Sequence, residues 1–326
     1  MATSPPLLRA RKRREVTDEP TRTDRFFGYF TSAAGLTVLA LMVLVGLFLF
    51  LRARDAFDVM GTKFFTTVEW KPDDASPSFG VRGLVTGTVL VGLIAFVIAV
   101  PVGTCAGLFI TEFASPRWRS VLTSLVDLLA AIPSLLYGLW GLVFLQDKIA
   151  PLSAWLARHF DWIPLFRVNE NPDYIQTMFI AGVVVSLMVI PIVASITREV
   201  FSQTPPGEKE AALALGGTRW GMVRRVVIPY GRGGIVGASM LGLGRALGET
   251  IAVFLLLPQV PEETIRVLQH GGATVSGFIV QRAGGSELNI SGLMGAGLML
   301  FIMTLTTNLI ASTVIARSRS GAGVEL

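Results

Sequence analysis

Charge, cysteine and histidine are all scarce in this sequence. Only 16% of its 326 residues are charged, against about 25% in an ordinary soluble domain. The single cysteine, Cys105, lies in an apolar run, which excludes a disulfide framework and a thiolate metal cluster. His159 and His270 lie far apart in sequence, so no metal site is predicted. We also expect no catalytic residue and no cofactor in this chain.

Apolar residues and glycine are abundant instead. Hydrophobic residues make up 52% of the chain, 34 residues are glycine, and the mean hydropathy is +0.60. Most of the glycines lie within apolar runs, where they allow helices to approach each other closely in lipid. This composition predicts an all-α, polytopic membrane protein rather than a soluble domain.

Six stretches are long enough to span a membrane, which requires about 20 apolar residues. The predicted spans are residues 29–51, 84–110, 121–145, 174–196, 235–257 and 293–315. Pro101, Pro133 and Pro191 lie inside the second, third and fourth spans, where each removes a backbone hydrogen bond. They predict kinks in those helices, although membrane helices also contain proline without any transport role.

The basic residues between Arg9 and Arg25 precede the first span, which favours a cytoplasmic N-terminus by the positive-inside rule. Six crossings then return the C-terminus to the cytoplasm. The net charge of +5 does not indicate nucleic-acid binding, because no aromatic or motif support accompanies it. The predicted divisions are a cytoplasmic tail (1–28), a first helix with an extracytoplasmic loop (29–83), a core (84–316) with a cytoplasmic loop at 204–229, and a cytoplasmic C-terminal tail (317–326).

The loop between the fourth and fifth predicted spans contains TPPGEKEAALALGGTRWGMVRRVVIPY, residues 204–230. Pro206 suits a first helical turn, Glu208 and Glu210 favour the positive end of the helix dipole, and Gly216 is typical of a helix end. The predicted helix has about ten residues, which is too short for a helix to be stable by itself. Its partly apolar surface, which includes Leu213, predicts docking into a groove on a partner protein.

The spacing of Glu210, Ala211, Ala212, Gly216 and Pro229 resembles the EAA loop of importer permeases in ATP-binding cassette (ABC) transporters. Val226 and Ile228 stand where that pattern has isoleucine and leucine, which are similar in size and polarity. The resemblance implies a coupling helix that docks into a cleft of an ATPase subunit. The coupling residues it implies are Glu208, Glu210, Ala211, Ala212, Leu213, Gly216 and Pro229. The chain has no G-x-x-x-x-G-K-[ST] phosphate loop, so ATP hydrolysis is expected in another polypeptide.

The segment RALGET, residues 245–250, places two charges in an otherwise apolar span. A charge at the bilayer centre costs about 2.5–3.5 kcal/mol on the insertion scale, so Arg245 and Glu249 need interior partners. Residues four apart share a helix face. One interpretation is a buried pair that neutralises itself. The other is a substrate pathway in which Arg245 binds an oxyanion and Glu249 holds Arg245 in the ligand-free state.

Two motifs resemble the phosphate-specific ABC permeases, whose paired subunits, called PstC and PstA, carry an R-A-L-G-E-T signature. They are GRALGETIAVFLLL, in which Ile251, Ala252 and Val253 look more like PstC, and AAIPSLLYGLWGL at residues 130–142. The resemblance covers residues 84–316 and implies the type I ABC importer permease fold. It also implies a PstA-like sister permease, two PstB-like ATPase subunits, an extracytoplasmic PstS-like phosphate-binding protein and a location in the cell membrane.

Other polar residues inside the spans are weaker candidates. Asp127 is a second intramembrane carboxylate, for which a structural hydrogen bond or an arginine contact is the simpler interpretation. Thr88, Thr104 and Ser134 carry hydroxyls that can donate to an anion, but such side chains in membrane helices most often bond their own backbone. Asp127, Thr88 and Ser134 are therefore predicted as pathway residues second to Arg245 and Glu249. A G-x-x-x-G motif at Gly244 and Gly248 predicts close contact with another helix.

The leading functional hypothesis is a transport subunit of an ATP-driven phosphate importer. One alternative keeps the ABC class but changes the cargo to another oxyanion, such as sulfate or molybdate. A second alternative is a stand-alone secondary anion transporter with Arg245 and Glu249 as an ion relay. Competition between anions distinguishes a phosphate importer from an importer of another oxyanion. Dependence of uptake on an ATPase distinguishes an ABC importer from a secondary transporter.

Overall fold

The structure is a computed structural model that describes residues 22–170, 172–262 and 264–319. The chain divides into two units, residues 1–48 and 49–326. In the first unit, the described residues belong to a long apolar helix, none of whose residues is buried. Most of the predicted basic tail and the end of the predicted C-terminal tail lie outside the described residues.

The helices differ widely in length, and several are short segments beside a break. They are α1 (Arg22–Arg52), α2 (Arg54–Met60), α3 (Arg82–Leu108), α4 (Pro116–Ala131), α5 (Ser134–Trp140), α6 (Gln146–His159), α7 (Met178–Ser202), α8 (Pro206–Ala214), α9 (Arg219–Met222), α10 (Ile228–Gly248), α11 (Ile251–Leu256), α12 (Val275–Gln281) and α13 (Glu287–Arg319). Two short antiparallel strands, β1 (Trp70–Lys71) and β2 (Ser78–Phe79), form a hairpin after α2. Single π-helical turns occupy Phe109–Phe113, Gly141–Leu145 and Val223–Val227, and 3-10 turns occupy Gly61–Phe65 and Pro164–Phe166.

The predicted all-α membrane fold is confirmed. In the described residues, five helices are long and apolar enough to cross a membrane, and there are six spans if one bent pair is counted as a single span. The main buried cluster of the second unit joins α3, α7 and α10 through small and β-branched residues such as Ala95, Val189 and Ala238. These three helices form the frame that positions the candidate site.

The third predicted span is not one continuous helix. It is broken between α4 and α5, where the chain bends by 88°. Pro133 precedes α5 and has no N–H to continue the α4 hydrogen-bond pattern. The Tyr137 hydroxyl donates to the Leu129 carbonyl oxygen at 3.0 Å, which satisfies one backbone group at the break. Pro101 and Pro191, in contrast, lie inside the uninterrupted helices α3 and α7.

The fifth predicted span is also interrupted, at Glu249 and Thr250, between α10 and α11. Glu249 has an extended backbone conformation, with φ −65° and ψ 129°. Three hydrogen bonds satisfy backbone groups at the break: the Glu249 Oε1 atom accepts from the Ala252 N–H at 3.3 Å, the Ser276 hydroxyl donates to the Glu249 carbonyl at 2.7 Å, and the Thr250 hydroxyl donates to the Gly248 carbonyl at 3.1 Å. Irregular backbone at membrane depth requires partners of this kind.

Close packing of α3 on α7 depends on small residues. A Cβ atom added to Gly107 would lie 2.9 Å from both the Ala194 carbonyl oxygen and the Arg198 amide nitrogen, so the neighbouring backbone would have to move. We expect Gly107→Ala to lower the stability of the purified protein by about 1–3 kcal/mol, since overpacking forces backbone shifts. Thermal unfolding in detergent measures this effect. Gly207→Ala in α8 is the matched control, because a Cβ atom added there would meet no described atom within 4 Å; equal stability of the two variants would contradict the prediction.

Candidate transport site and coupling helix

A cavity of about 520 Å³ lies between the middle parts of α7 and α13 and the C-terminal end of α10. Its lining residues are Ile192, Leu241, Gly244, Arg245, Gly248, Glu249, Thr304 and Asn308. The cavity therefore contains both charged residues of the RALGET segment. Gly244 and Gly248 line it as well: a Cβ atom added to Gly244 would lie 3.6 Å from the Asn308 Oδ1 atom of α13, whereas one added to Gly248 would meet no described atom within 4 Å.

Arg245 is exposed in the isolated chain, and its side chain opens onto the cavity. Within the described residues, no ion pair or hydrogen bond holds its guanidinium group. The predicted buried pair with Glu249 is therefore wrong for this conformation, as is the predicted holding of Arg245 by Glu249. The cause is the break after Gly248, because Glu249 does not continue the helix that carries Arg245.

Glu249 is 9% exposed and lines the same cavity. One of its carboxylate oxygens accepts the Ala252 N–H, so the side chain supports the beginning of α11 in addition to facing the cavity. Asn308 contributes an exposed amide from α13. The Thr304 hydroxyl instead donates to its own helix backbone, at the Leu300 and Phe301 carbonyls. The side-chain donors that face the cavity are thus Arg245 and Asn308, opposite one acidic group.

The structure does not bring the weaker candidates into this cavity. The Thr88 hydroxyl is buried; it donates to the Leu84 carbonyl at 2.7 Å and accepts from the Val275 N–H at 2.9 Å, which attaches the beginning of α12 to α3. Ser134 lies at the beginning of α5, directly after the break in the third span. The Thr104 hydroxyl is buried and has no hydrogen-bond partner in the described residues.

Asp127 contacts α7 rather than the cavity. Its Oδ1 atom lies 3.7 Å from an Arg198 guanidinium nitrogen and accepts from the Ser195 hydroxyl at 3.4 Å. Ser195 follows the cavity residue Ile192 by three positions, so this polar cluster lies about one helical turn, roughly 5 Å, along α7 from the cavity. For Asp127 the sequence favoured a structural hydrogen bond or an arginine contact over a place in the pathway, and both of these structural contacts are present. The sequence analysis did not predict a role for Arg198. The only indication in the sequence was that Arg198 is a basic residue near the end of a predicted span.

The predicted coupling helix corresponds to α8, and most of its residues are exposed. Glu208, Glu210, Ala211 and Leu213 face away from the protein, and Leu215, just after α8, is 90% exposed. Gly216, with φ +79°, follows in the left-handed conformation that ends many helices. Pro229 begins α10 at its first turn. The exposed apolar residues of this segment, hereafter the coupling face, are Leu213, Leu215 and Trp220.

The opposite side of α8 packs onto the transmembrane core. Ala212 is half-buried against a cluster that includes Leu108, Phe201 and Val223. One turn earlier, the Lys209 Nζ atom donates to Glu112 Oε1 at 2.6 Å. Sequence reasoning missed this ion pair because the two residues are 97 positions apart and Glu112 belongs to no recognisable motif.

Residues 99–319 match the protein family described as "Binding-protein-dependent transport system inner membrane component". The Mycobacterium tuberculosis protein named "Phosphate transport system permease protein PstC 2" is 41% identical over 304 residues, which cover 92% of this chain and 94% of the relative. The Mesorhizobium japonicum protein named "Phosphate transport system permease protein PstC" is 36% identical over 310 residues, which cover 92% and 93%. The chain belongs to this permease family. It is accordingly a multi-pass membrane protein and a transport subunit rather than an enzyme.

A solved structure shows that the fold of this chain is shared with an ABC transporter. The bacterial ABC transporter described as involved in the import of the acidic polysaccharide alginate has a chain with a TM-score of 0.59 and 18% sequence identity, covering 90% of this permease and 96% of that chain. At this identity the likeness concerns the fold alone. It confirms the predicted type I ABC importer permease fold.

Proposed function

We propose that this permease forms part of the phosphate pathway of an ATP-driven importer, with Arg245 as the residue that binds the anion. The observation that carries the proposal is the cavity that contains Arg245, in a chain 41% identical to a protein named as a phosphate transport permease. A guanidinium group suits an oxyanion because it donates two parallel hydrogen bonds. The Asn308 amide supplies a further donor from the neighbouring α13.

The exposure of Arg245 supports a second permease subunit. Facing lipid at the bilayer centre would cost Arg245 about 2.5–3.5 kcal/mol on the insertion scale. Residues of this kind usually face a bundle interior or a water-filled cavity. A PstA-like sister permease placed against α7, α10 and α13 would enclose the cavity and convert it into a protein-lined pathway.

The remaining partners follow from the coupling face and from the family. Two PstB-like ATPases would bind α8 of each permease from the cytoplasm, and a PstS-like binding protein would deliver phosphate from the outside. In this arrangement α8, which follows α7, lies on the cytoplasmic side. With four spans before α8 and two after it, both chain termini would also lie in the cytoplasm. The basic residues before the first span favour the same orientation.

Uptake of radiolabelled phosphate into proteoliposomes that contain the complete complex tests this function. We expect uptake that requires ATP and the binding protein and that unlabelled phosphate suppresses. Equal suppression by sulfate or molybdate at the same concentration would assign the cargo to another oxyanion. Uptake that persists without the ATPase and follows an ion gradient would identify a secondary transporter instead.

Glu249 provides a prediction about anion selectivity. A carboxylate facing the cavity accepts a hydrogen bond from the P–OH group of a protonated phosphate, whereas sulfate is fully deprotonated at neutral pH and offers no such donor. Glu249→Gln keeps an acceptor oxygen for the Ala252 N–H but removes the negative charge. We expect sulfate to compete at least about tenfold better in this variant, because a hydrogen bond to a charged group is worth about 1.5–3 kcal/mol.

A comparison with Glu249→Ala separates selectivity from folding. Alanine removes both the negative charge and the hydrogen bond to the beginning of α11, so this variant should also lose thermal stability, whereas Glu249→Gln should not. Unchanged sulfate competition in a stable Glu249→Gln complex would show that Glu249 supports the helix break and does not select the anion.

A further inference from the structure

The ion pair between Lys209 and Glu112 differs from the other ion pairs between acidic and basic side chains in the described residues. The side chains are 20% and 7% exposed, respectively, whereas the Glu69–Lys71 pair at 3.1 Å is more than half exposed on both sides. An exposed pair contributes little, because water and salt screen it. Removing one partner of a shielded pair leaves a buried charge uncompensated. The Lys209–Glu112 contact therefore restrains the position of α8 strongly.

Glu112 lies at a hydrogen-bonded end of α3. It lies in the π-helical turn Phe109–Phe113, which continues α3. The Thr111 hydroxyl donates to the Gly107 carbonyl at 2.8 Å, and Arg119 donates to the Ile110 carbonyl at 3.1 Å and also to the Thr111 carbonyl. Arg119 thereby satisfies carbonyls that the end of a helix leaves without partners. A π-helical turn that is stabilised from a second helix is a fixed attachment point rather than a frayed terminus.

Lys209 lies on the side of α8 that contacts the transmembrane core. Lys209 and Ala212 are three positions apart and share one side of the helix, which contacts the transmembrane core. Glu210 lies on the exposed side, and Leu213, which is 43% exposed and four positions after Lys209, lies at the border between the two sides. A displacement applied to the coupling face would thus pass through α8 to the Lys209–Glu112 contact.

Helix α3 connects that contact to the part of α10 that carries Arg245. From Glu112 to Gly92 the helical path is about 30 Å at 1.5 Å per residue. A Cβ atom added to Gly92 would lie 2.7 Å from Leu247 Cδ2, so α3 and α10 touch directly at this level. Leu247 is two positions after Arg245. The inner end of α3 is therefore joined to α8, and the middle of α3 is joined to the segment that carries the proposed anion-binding residue.

We propose that the Lys209–Glu112 ion pair is the positioning contact that makes α8 and α3 move as one body, so that displacement of α8 by the ATPase changes the packing around Arg245. This assignment rests on the proposed function, because it requires an ATPase on the coupling face. Lys209 and Glu112 are positioning residues and touch neither the anion nor ATP. Loss of the pair separates ATP hydrolysis from transport without removing either site.

The test measures phosphate uptake and ATP hydrolysis in the same proteoliposomes with the complete complex. Lys209→Met and Glu112→Gln are expected to lower the ratio of phosphate transported to ATP hydrolysed by roughly fivefold or more, the lower range of a typical coupling between two sites. Combining both substitutions should be no worse than either one alone, because a single contact is lost. Lys209→Arg keeps the charge and should retain the wild-type ratio. Lys71→Met, at the exposed Glu69–Lys71 pair, is the matched control and should also retain it.

The charge-swapped variant, Glu112→Lys with Lys209→Glu, decides the case if a single variant fails to assemble. We expect it to assemble and to recover most of the transport ratio. A swapped complex that assembles but stays uncoupled, or single variants that keep the wild-type ratio, would overturn the proposal. Failure of the proposed function is separate, since it would appear as absent ATP-dependent phosphate uptake in the wild-type complex.

Discussion

Arg245→Gln is expected to abolish ATP-driven phosphate uptake, with a decrease of at least about 100-fold at substrate concentrations below saturation. The guanidinium of Arg245 is exposed to the cavity and has no competing ion pair in the described residues. Two charge-assisted hydrogen bonds to an oxyanion, each worth about 1.5–3 kcal/mol, account for a loss of this size. Glutamine is similar in polarity but carries no positive charge.

Two further variants make this result specific. Arg245→Lys keeps the charge but loses the planar pair of donors, so we expect intermediate uptake. Arg232→Gln removes an exposed arginine from the same helix, outside the cavity, and should leave uptake close to that of the wild type. Assembly with the ATPase is checked by co-purification for each variant. Uptake within threefold of wild type in an assembled Arg245→Gln complex would exclude the cavity as the phosphate pathway.

The approximate position of most spans was predictable from sequence because it depends on a local property, namely about 20 consecutive apolar residues. The fifth prediction was displaced: the long apolar helix is Arg219–Gly248, whereas residues 235–257 were predicted. The same property does not reveal a break inside a span, since the chain is apolar on both sides. The interruption at Glu249 depends on Ser276, which reaches it from α12, 27 residues away in sequence. The break at Pro133 had a visible signal, but Pro101 and Pro191 gave the same signal inside continuous helices. Tertiary contacts decide between these outcomes.

In the candidate site, too, local properties were predictable from sequence and tertiary contacts were not. Charge at membrane depth identified Arg245 and Glu249 correctly as cavity residues, because the energetic argument needs no partner to be known. Their expected ion pair assumed one continuous helix, and the break removed that geometry. The Lys209–Glu112 pair was invisible for a different reason: charged residues near helix ends are ordinary in sequence, and only the folded chain shows that these two are shielded together.

Leu213→Glu, or Leu215→Glu, is expected to detach the ATPase from an otherwise intact permease. Leu215 is 90% exposed, so a charge there disturbs little within this chain, whereas Leu213, at 43%, is partly covered by the chain itself and is the less specific of the two variants. Burial of a leucine in a partner groove is worth about 1.5–3 kcal/mol, and replacing it with a charge should therefore weaken ATPase binding by at least about tenfold. Co-purification of the ATPase at several salt concentrations measures the effect.

The side of α8 that is changed should determine which property is lost. Ala212→Glu would place a charge in the cluster formed by Leu108, Phe201 and Val223, so it should lower the thermal stability of the permease itself. Ile265→Glu, at an apolar residue that is 49% exposed and distant from α8 in sequence, should change neither stability nor ATPase binding. If Leu213→Glu and Leu215→Glu both retained the ATPase at wild-type levels, α8 would not be the docking helix. The resemblance to the EAA loop would then be a similarity in sequence that does not correspond to a coupling role.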